Sequence, residues 1–375
     1  MRAVITGGAG FLGSHLVDTL VARGDDVVVY DTLVPQVHRD GPPRWLHPAA
    51  RYVIADPRTD SFADDCSGAD ALVHLAAATG TGQSMYEAAS YTRDNAELTA
   101  AIGDLLVDRR IEVGRVIFAS SRAVYGEGTK LCVSCGVVHP GPRVVTDLRA
   151  QRWESRCLHC GEPTTWAPTS EAHPTCPVSV YGATKLFGEQ VLAMAAADAG
   201  TPLTTLRFFN LYGARQTPAN PYVGVVAVFA AAVADGRPIR LFEDGEVVRD
   251  FCHVSDAVAA VVRALDVYTP VVDVLNVGSG VATTLRQLAE SAATAHRGRP
   301  GPWPMTVTGQ TRSGDLRSCV ADLTRMTERL GWAPHVSLVD GLGDVLRYVP
   351  GQQAADIDDA LHELAQRGLL IGEAP

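Results

Sequence analysis

Lysine is nearly missing from this chain: two residues, Lys130 and Lys185, stand against thirty arginines. Arginine is therefore the default surface cation, and a lysine that is kept marks a place where the two are not interchangeable. Positive charge is also in deficit overall. A net charge of −10 argues against nucleic acid as the main partner. No stretch approaches the roughly 18 to 20 consecutive apolar residues of a membrane span. The N-terminus runs straight into a glycine motif at Gly7, which leaves no room for a signal peptide. Cysteine is sparse, eight in 375 residues, yet four fall in two CxxC pairs. That usage suits a metal or redox site in a reducing cytoplasm better than a disulfide framework.

What is present begins with a nucleotide signature. Residues 3–6 read as a buried strand, and Gly7-Gly8-Ala9-Gly10-Phe11-Leu12-Gly13 follows. A helix is expected over 12–23, ended by Gly24, and a second strand over 27–30 finishes at Asp31. Gly7, Gly10 and Gly13 suit a tight turn, close approach of backbone to a pyrophosphate, and helix–strand packing. The helix start offers free N–H groups to the phosphate. A carboxylate at Asp31 accepts ribose hydroxyls and repels a 2′-phosphate, so NAD is expected over NADP. His15 reads as a helix residue packed near the loop. Further strands are expected over 52–55, 71–78 and 116–121, with Asp56 after the first and helical periodicity over 87–110 around Asn95. Alternating strands and helices predict an α/β Rossmann fold, a doubly wound parallel sheet with ligands at the C-terminal strand ends.

Tyr181-Gly182-Ala183-Thr184-Lys185 opens another helix, expected over 181–197. Positions four apart share a helix face, so Tyr181 and Lys185 sit side by side. A phenol with a pKa of about 10 is a poor base at neutral pH, and a fixed positive charge nearby lowers that value.

Fifty-nine residues separate Ser121 from Tyr181, and the excess carries Cys132-Val133-Ser134-Cys135-Gly136 and Cys157-Leu158-His159-Cys160-Gly161. The spacing between the pairs is close to that of zinc sites with four thiolates. Cys132, Cys135, Cys157 and Cys160 would fill a tetrahedral ion, so the zinc is expected to be structural. Cys66, Cys176, Cys252 and Cys319 read as buried or incidental thiols, and His139, His159 and His173 as loop residues. The insertion carries Lys130, Arg143, Arg149, Arg152 and Arg156 against Asp147, Glu154 and Glu162. That slight excess is no nucleic-acid footprint, and the insertion is expected beside the cleft as a wall or a dimer contact.

Ser120-Ser121-Arg122-Ala123-Val124-Tyr125-Gly126, taken with TGGAGFLGSH, HLAA and YGATK, resembles the extended short-chain dehydrogenase/reductase family of nucleotide-sugar epimerases and dehydratases. Arg207-Phe208-Phe209-Asn210-Leu211-Tyr212-Gly213 and Arg249-Asp250-Phe251-Cys252-His253-Val254 extend the likeness over nearly the whole chain. The resemblance implies Tyr181 as general base and acid, Lys185 on the nicotinamide ribose, and Ser121 on the reacting hydroxyl. It implies NAD contacts at Gly7, Gly10, Phe11, Leu12, Gly13, Asp31, Asp56, Leu75, Ala76, Ala77, Asn95, Ala119 and Phe208. Asn210, Arg249 and Arg312 would bind a substrate diphosphate, and Asp315 a sugar or ribose hydroxyl. Arg215 and Arg317 carry a weaker claim.

Family members that eliminate water place an acid where Arg122 stands and a base at Ala123, and the decarboxylases usually carry a glutamate at Ala123. Neither residue here does that work, which implies NAD-dependent 4-epimerisation of a nucleotide-diphosphate sugar, a dTDP-6-deoxyhexose or UDP-hexose. Thr79-Gly80-Thr81-Gly82-Gln83-Ser84 and the CxxC insertion look most like a bacterial subgroup of dTDP-L-rhamnose 4-epimerases. An NAD(P)H-dependent 4-ketoreductase uses the same trio, and a non-catalytic NAD-sensing or nucleic-acid-binding protein is the reading from another class. The expected organisation is an NAD-binding domain over 1–127, continued by 168–213 and parts of 250–280. A zinc-ribbon insertion over 128–167, a smaller α/β substrate lobe over 214–350 and a helical tail over 351–375 complete it. A cytoplasmic homodimer with no membrane or nucleic-acid partner is expected by the same analogy.

Overall fold

Seven short strands form the centre of the molecule: β1 (Arg2–Thr6), β2 (Asp26–Asp31), β3 (Arg51–Ile54), β4 (Ala71–His74), β5 (Val116–Ser121), β6 (Leu203–Phe208) and β7 (Val272–Val277). All run parallel, in the order β3-β2-β1-β4-β5-β6-β7. Apart from the edge strand β3, they are largely buried on both faces, which is why they read as near-continuous apolar runs. The computed structural model describes residues 1–38, 41–216, 224–267, 272–349 and 357–372.

Successive side chains of β1 go to opposite layers. Ala3 and Ile5 pack with Leu16, Val17 and Leu20 of α1 (Phe11–Ala22), while Val4 packs on the other side. That other layer holds Ile102 and Leu106 of α2 (Leu98–Val107) and Leu192, Ala195 and Ala196 of α3 (Val180–Ala199). The α1 layer also takes Ala257, Val258 and Val261 of α4 (Val254–Asp266), so residues late in the chain close the first domain. Ser179 caps α3 by accepting from the Gly182 N–H at 3.1 Å, and Gly200 ends it with φ 68°.

Two expected elements differ. The helical stretch before α2 is not one α-helix: Thr92–Glu97 forms a π turn. The wider turn brings Asn95 inward, where its amide donates to Ala78 O at 3.0 Å and accepts from Ala78 N at 2.7 Å. β4 ends at His74, not at Ala78, because the chain then leaves the sheet to pass over the glycine loop.

The smaller lobe holds a mixed sheet built on Val248–His253, which pairs parallel with Asn210–Tyr212 and Ser318–Ala321 and antiparallel with Ala282–Thr284. Helices Val225–Ala234, Leu285–Arg297 and Leu338–Tyr348 enclose a second core around Phe229, Leu288 and Leu342. The insertion forms an antiparallel three-stranded sheet of Gly136–Val138, Lys130–Cys132 and Thr165–Trp166. A tail helix, Ile357–Gln366, buries Leu361 and Leu364. Residues 351–356 and 373–375 of the expected helical tail, and the side chain of Ile357, lie outside the described residues. Both lysines are buried, Lys130 with 1 % and Lys185 with 4 % exposed. Lys130, counted among the charges of the insertion, is held inside by Glu127 and Ser318. Among the described residues no helix is long and apolar enough to cross a membrane.

Candidate active site

The glycine loop joins β1 to α1 where the strand order reverses, the place at which open parallel sheets bind ligands. Gly7 has φ +73°, and a Cβ there would lie 2.7 Å from Ala76 N. One on Gly13 would lie 2.3 Å from Gly7 O. The loop, α1 and the end of β4 thus meet backbone to backbone. Gly10 starts α1 with no side-chain cap, which leaves the first-turn amides free for an anion. Asp31 closes the loop from β2, accepting from Ala9 N at 3.0 Å and Leu33 N at 2.9 Å. Asp56 follows β3, and its salt bridge with Arg58 at 2.6 Å holds its carboxyl below the usual range.

Beneath β4 runs a directed hydrogen-bond chain. Ala76 N donates to Thr6 Oγ1 at 3.2 Å, and that hydroxyl lies 2.7 Å from His74 Nδ1. Burial pushes His74 down to about 3, so the ring is neutral. Thr99 spends its hydroxyl hydrogen on Asn95 O at 2.6 Å. It must therefore accept from His74 Nε2–H at 3.0 Å, and Nδ1 accepts from Thr6. The histidine in HLAA is a strut. His15 likewise spends Nε2 on the Ala214 carbonyl at 2.9 Å.

The resulting cleft holds about 800 Å³, near the upper end for ligand sites and suited to a dinucleotide with a second ligand. Gly7, Gly10, Phe11, Leu12, Gly13, Asp31, Asp56, Leu75, Ala76, Ala77, Ala119 and Phe208 all line it, as do Ser121, Tyr181, Lys185 and Asn210. Four expected contacts do not. Asn95 is buried and spends its amide on Ala78 and Thr184. Arg249 donates to the carbonyls of Val248, Leu316 and Arg317 at 2.7 to 3.3 Å. Arg312 pairs with Asp315 at 2.8 Å.

Ser121 ends β5 and Tyr181 opens α3, so the sheet and one helix place the trio. Tyr181 N donates to Ser84 Oγ at 3.1 Å, and its ring meets Tyr91 edge-on at 6.4 Å. Burial raises the Tyr181 pKa, while a hydrogen bond with Ser121 and the charge of Arg122 act to lower it. The sequence reading assigned that lowering to Lys185. Its Nζ instead reaches down to the Ala119 carbonyl at 2.8 Å and over the Phe118 ring at 5.2 Å. Burial lowers Lys185 to about 8, with Glu189 acting to raise it. One turn on, Glu189 accepts from Arg207 at 2.6 and 2.9 Å and from Ser120, docking α3 on the sheet.

Arg122 was read only as a missing acid. It lines the cleft, and its Nε donates to Asn210 Oδ1 at 2.8 Å. Among the described residues no carboxylate forms a salt bridge with it. Tyr91 and Trp45, the latter contacting Ala9 O through Nε1 at 3.4 Å, also line the cleft and carry no sequence signal. No spacing rule ties either of them to the glycine loop.

The four cysteine sulfurs of the insertion lie within 4.8 Å of one another, and Cys132 Sγ and Cys160 Sγ are 3.4 Å apart. A tetrahedral zinc with bonds of about 2.3 Å holds its sulfurs roughly 3.8 Å apart, so the group fits. His159 N donates to Cys157 Sγ at 3.4 Å. Backbone donors at Cys160 and His159 lower that thiol to about 6. None of His139, His159 or His173 joins the cluster.

A switch-point glycine loop, an acid ending β2 and a Ser–Tyr–Lys trio at the strand ends define a dinucleotide-dependent α/β protein. More narrowly, the chain belongs to the NAD dependent epimerase/dehydratase family, whose model matches residues 3–138 and 157–278. It is 38 % identical over 354 residues to dTDP-L-rhamnose 4-epimerase of Burkholderia thailandensis, with 93 % of this chain and 94 % of that protein covered. Crystallised UDP-glucose 4-epimerase of Thermotoga maritima, bound to UDP-glucose, superposes with a TM-score of 0.74 at 29 % identity, covering 93 % of this chain and 99 % of that one. UDP-glucose 4-epimerase of Thermus thermophilus in complex with NAD gives 0.72 at 26 % identity, covering 94 % and 99 %.

Proposed function

We propose that the chain is an NAD-dependent nucleotide-sugar 4-epimerase, an isomerase that inverts C4 of a sugar carried on a nucleoside diphosphate. One observation carries this reading: Ser121, Tyr181 and Lys185 line a dinucleotide cleft together, and Arg122 and Ala123 supply no acid or base for elimination. The names of the relatives point to a dTDP-6-deoxyhexose or a UDP-hexose as the sugar.

The cradle suits NAD. The uncapped helix start faces the pyrophosphate, Asp31 takes the adenine ribose, and Leu75, Ala76, Ala77, Ala119 and Phe208 give small or apolar walls. Bound NAD supplies a reversible hydride acceptor for C4, so the cycle has no net redox. Tyr181 takes the proton from O4 and returns it after the keto sugar has turned. Ser121 orients that hydroxyl. Lys185, fixed to Ala119 O, holds a ribose hydroxyl and a positive charge beneath the site.

Asn210, Arg249 and Arg312 take the substrate diphosphate and Asp315 a hydroxyl, which asks the Arg312–Asp315 pair to open toward the ligand. Arg249 favours this reading: burial and repulsion from Arg122 lower it to about 10, and among the described residues it donates to the carbonyls of Val248, Leu316 and Arg317. An anion there relieves both arginines.

Cys132, Cys135, Cys157 and Cys160 hold a structural zinc. Four protein ligands leave no open position for catalysis. Phe187 and Met194 on α3, 42 % and 66 % exposed, and Val107 at the end of α2 give an apolar face that suits a homodimer. A reducing cytoplasm fits the thiolate site. Incubating the protein as purified with dTDP-, UDP- and GDP-sugars and following C4 inversion by NMR tests the function. Epimer formation without added NADH is expected, and stoichiometric NADH oxidation would assign a ketoreductase instead.

A further inference from the structure

Two segments outside the nucleotide fold meet on one loop, residues 311–317. From the insertion comes Arg143, whose side chain is 4 % exposed. It pairs with Glu243 at 2.8 Å and Glu127 at 3.1 Å, carboxylates exposed by only 1 % and 2 %. Its Nη2 donates to the main-chain carbonyl of Asp315 at 2.9 Å. Glu154, also of the insertion, accepts from Arg317 Nε at 2.7 Å, while Arg317 turns its Nη groups to Glu243 and Asp244. From the opposite edge the tail strand Leu370–Ile371 pairs antiparallel with Thr311–Arg312. Ser313 N donates to Leu369 O at 2.8 Å. Ile371 then packs on Leu148 and Trp153 of the insertion, which closes a ring around the loop.

We infer that Arg143 is a positioning residue for substrate binding, fixing the Arg312–Asp315 loop from the zinc-ribbon side. The inference rests on the reading of Arg312 and Asp315 as ligand contacts. A guanidinium presents its donors in a rigid planar fork; Arg143 donates to the carbonyls of Trp153 and Asp315 and pairs with two buried carboxylates, so these groups set its place and it sets theirs. Glu243 is the hinge of the network, because Arg143, Arg317 and the Thr311 hydroxyl all converge on it. Apart from Leu148 and Trp153, which pack on Ile371 of the tail, the insertion's buried apolar residues are Cys132, Val138 and Cys157. Its shape therefore depends on the cysteine cluster, and the metal staple is carried to the substrate loop through Arg143. The trio stands on β5 and α3, which Arg143 does not touch.

This arrangement separates binding from chemistry. In the full-length, zinc- and NAD-loaded protein, Arg143→Ala is expected to raise KM for the nucleotide sugar by about tenfold to a hundredfold, the scale of lost hydrogen bonds to a charged group. The Kd for UDP or dTDP should rise in parallel, with kcat within about threefold of wild type. NAD and zinc contents should stay at one per chain. Arg143→Lys keeps the charge without the fork and should fall between. Ile371→Ala, which loosens the other edge, should shift KM the same way by less. Unchanged KM and Kd in Arg143→Ala would overturn the inference; if that variant does not fold, unchanged values in both Arg143→Lys and Ile371→Ala would do so. A wild-type protein that binds UDP or dTDP but epimerises no sugar would overturn the functional reading alone.

Discussion

The two halves of the site are built by different means. The nucleotide half uses backbone: a glycine loop, an uncapped helix start and strand ends, all from the first 121 residues of β1 to β5 and the connections between them. The substrate half uses buried charge. Arg317 N reaches Glu127 across 190 positions of sequence, and Arg317 Nη1 reaches Glu243 across 74. Backbone sites need particular residues at fixed spacings, since turns and close approaches tolerate little else. Charge networks need only complementary side chains that the fold happens to bring together. The first kind is robust and readable; the second is adjustable.

The sharpest break is at Tyr181, where the two halves meet. Tyr181→Phe should lower kcat by about 10² to 10⁴, the usual worth of a positioned acid–base group, with NAD content unchanged by absorbance of the denatured extract. Loss of NAD along with activity would show the tyrosine to be part of the cradle instead.

Removing the metal should strike the charged half alone. Stripping zinc with a chelator, or Cys132→Ser, should raise KM by at least tenfold while the nucleotide domain keeps its cofactor. Metal analysis of the purified protein should give one zinc per chain, and equal turnover by zinc-free protein would sever the insertion from the site.

In the nucleotide domain a vulnerable point is the buried ion pair Glu189–Arg207. Glu189→Ala leaves Arg207 uncompensated at 7 % exposure and should cost about 3–5 kcal/mol of stability by denaturant titration. A loss under about 1 kcal/mol would mean that α3 is docked by packing alone.

The smallest effect is electrostatic. Arg122 is one of the two influences that lower Tyr181, so Arg122→Met should move the acid limb of the pH–kcat profile to higher pH. The sign follows from the base: Tyr181 works deprotonated, and losing a nearby cation makes the phenolate harder to form. An acid limb that does not move would remove Arg122 from the proton chemistry.

These contrasts explain what could be read in advance. The parallel sheet, α1, α3 and the glycine loop follow from periodicity and glycine spacing; most of the expected cofactor contacts follow from the family resemblance, and twelve of them besides Tyr181 and Lys185 line the cleft. Asn95 lies off the cleft lining because a π turn, which has no strong sequence mark, sends its amide to Ala78. The Lys185 charge is a different case. Shared helix faces fix where a side chain begins, while a long flexible stem decides where its charge ends, here at Ala119 O. Arg143 entered only the charge balance of the insertion, since nothing local announces a partner a hundred residues away at Glu243.

The central claim is reversible oxidation at C4 with retained NAD. The most direct measurement is single-sample NMR of the purified protein with dTDP-L-rhamnose and UDP-glucose, with absorbance of the reduced nicotinamide followed in parallel. The account predicts that a C4 epimer grows to a fixed equilibrium ratio with no added cofactor and no lasting change in absorbance. No epimer from either sugar, or one nicotinamide consumed per sugar converted, would contradict it.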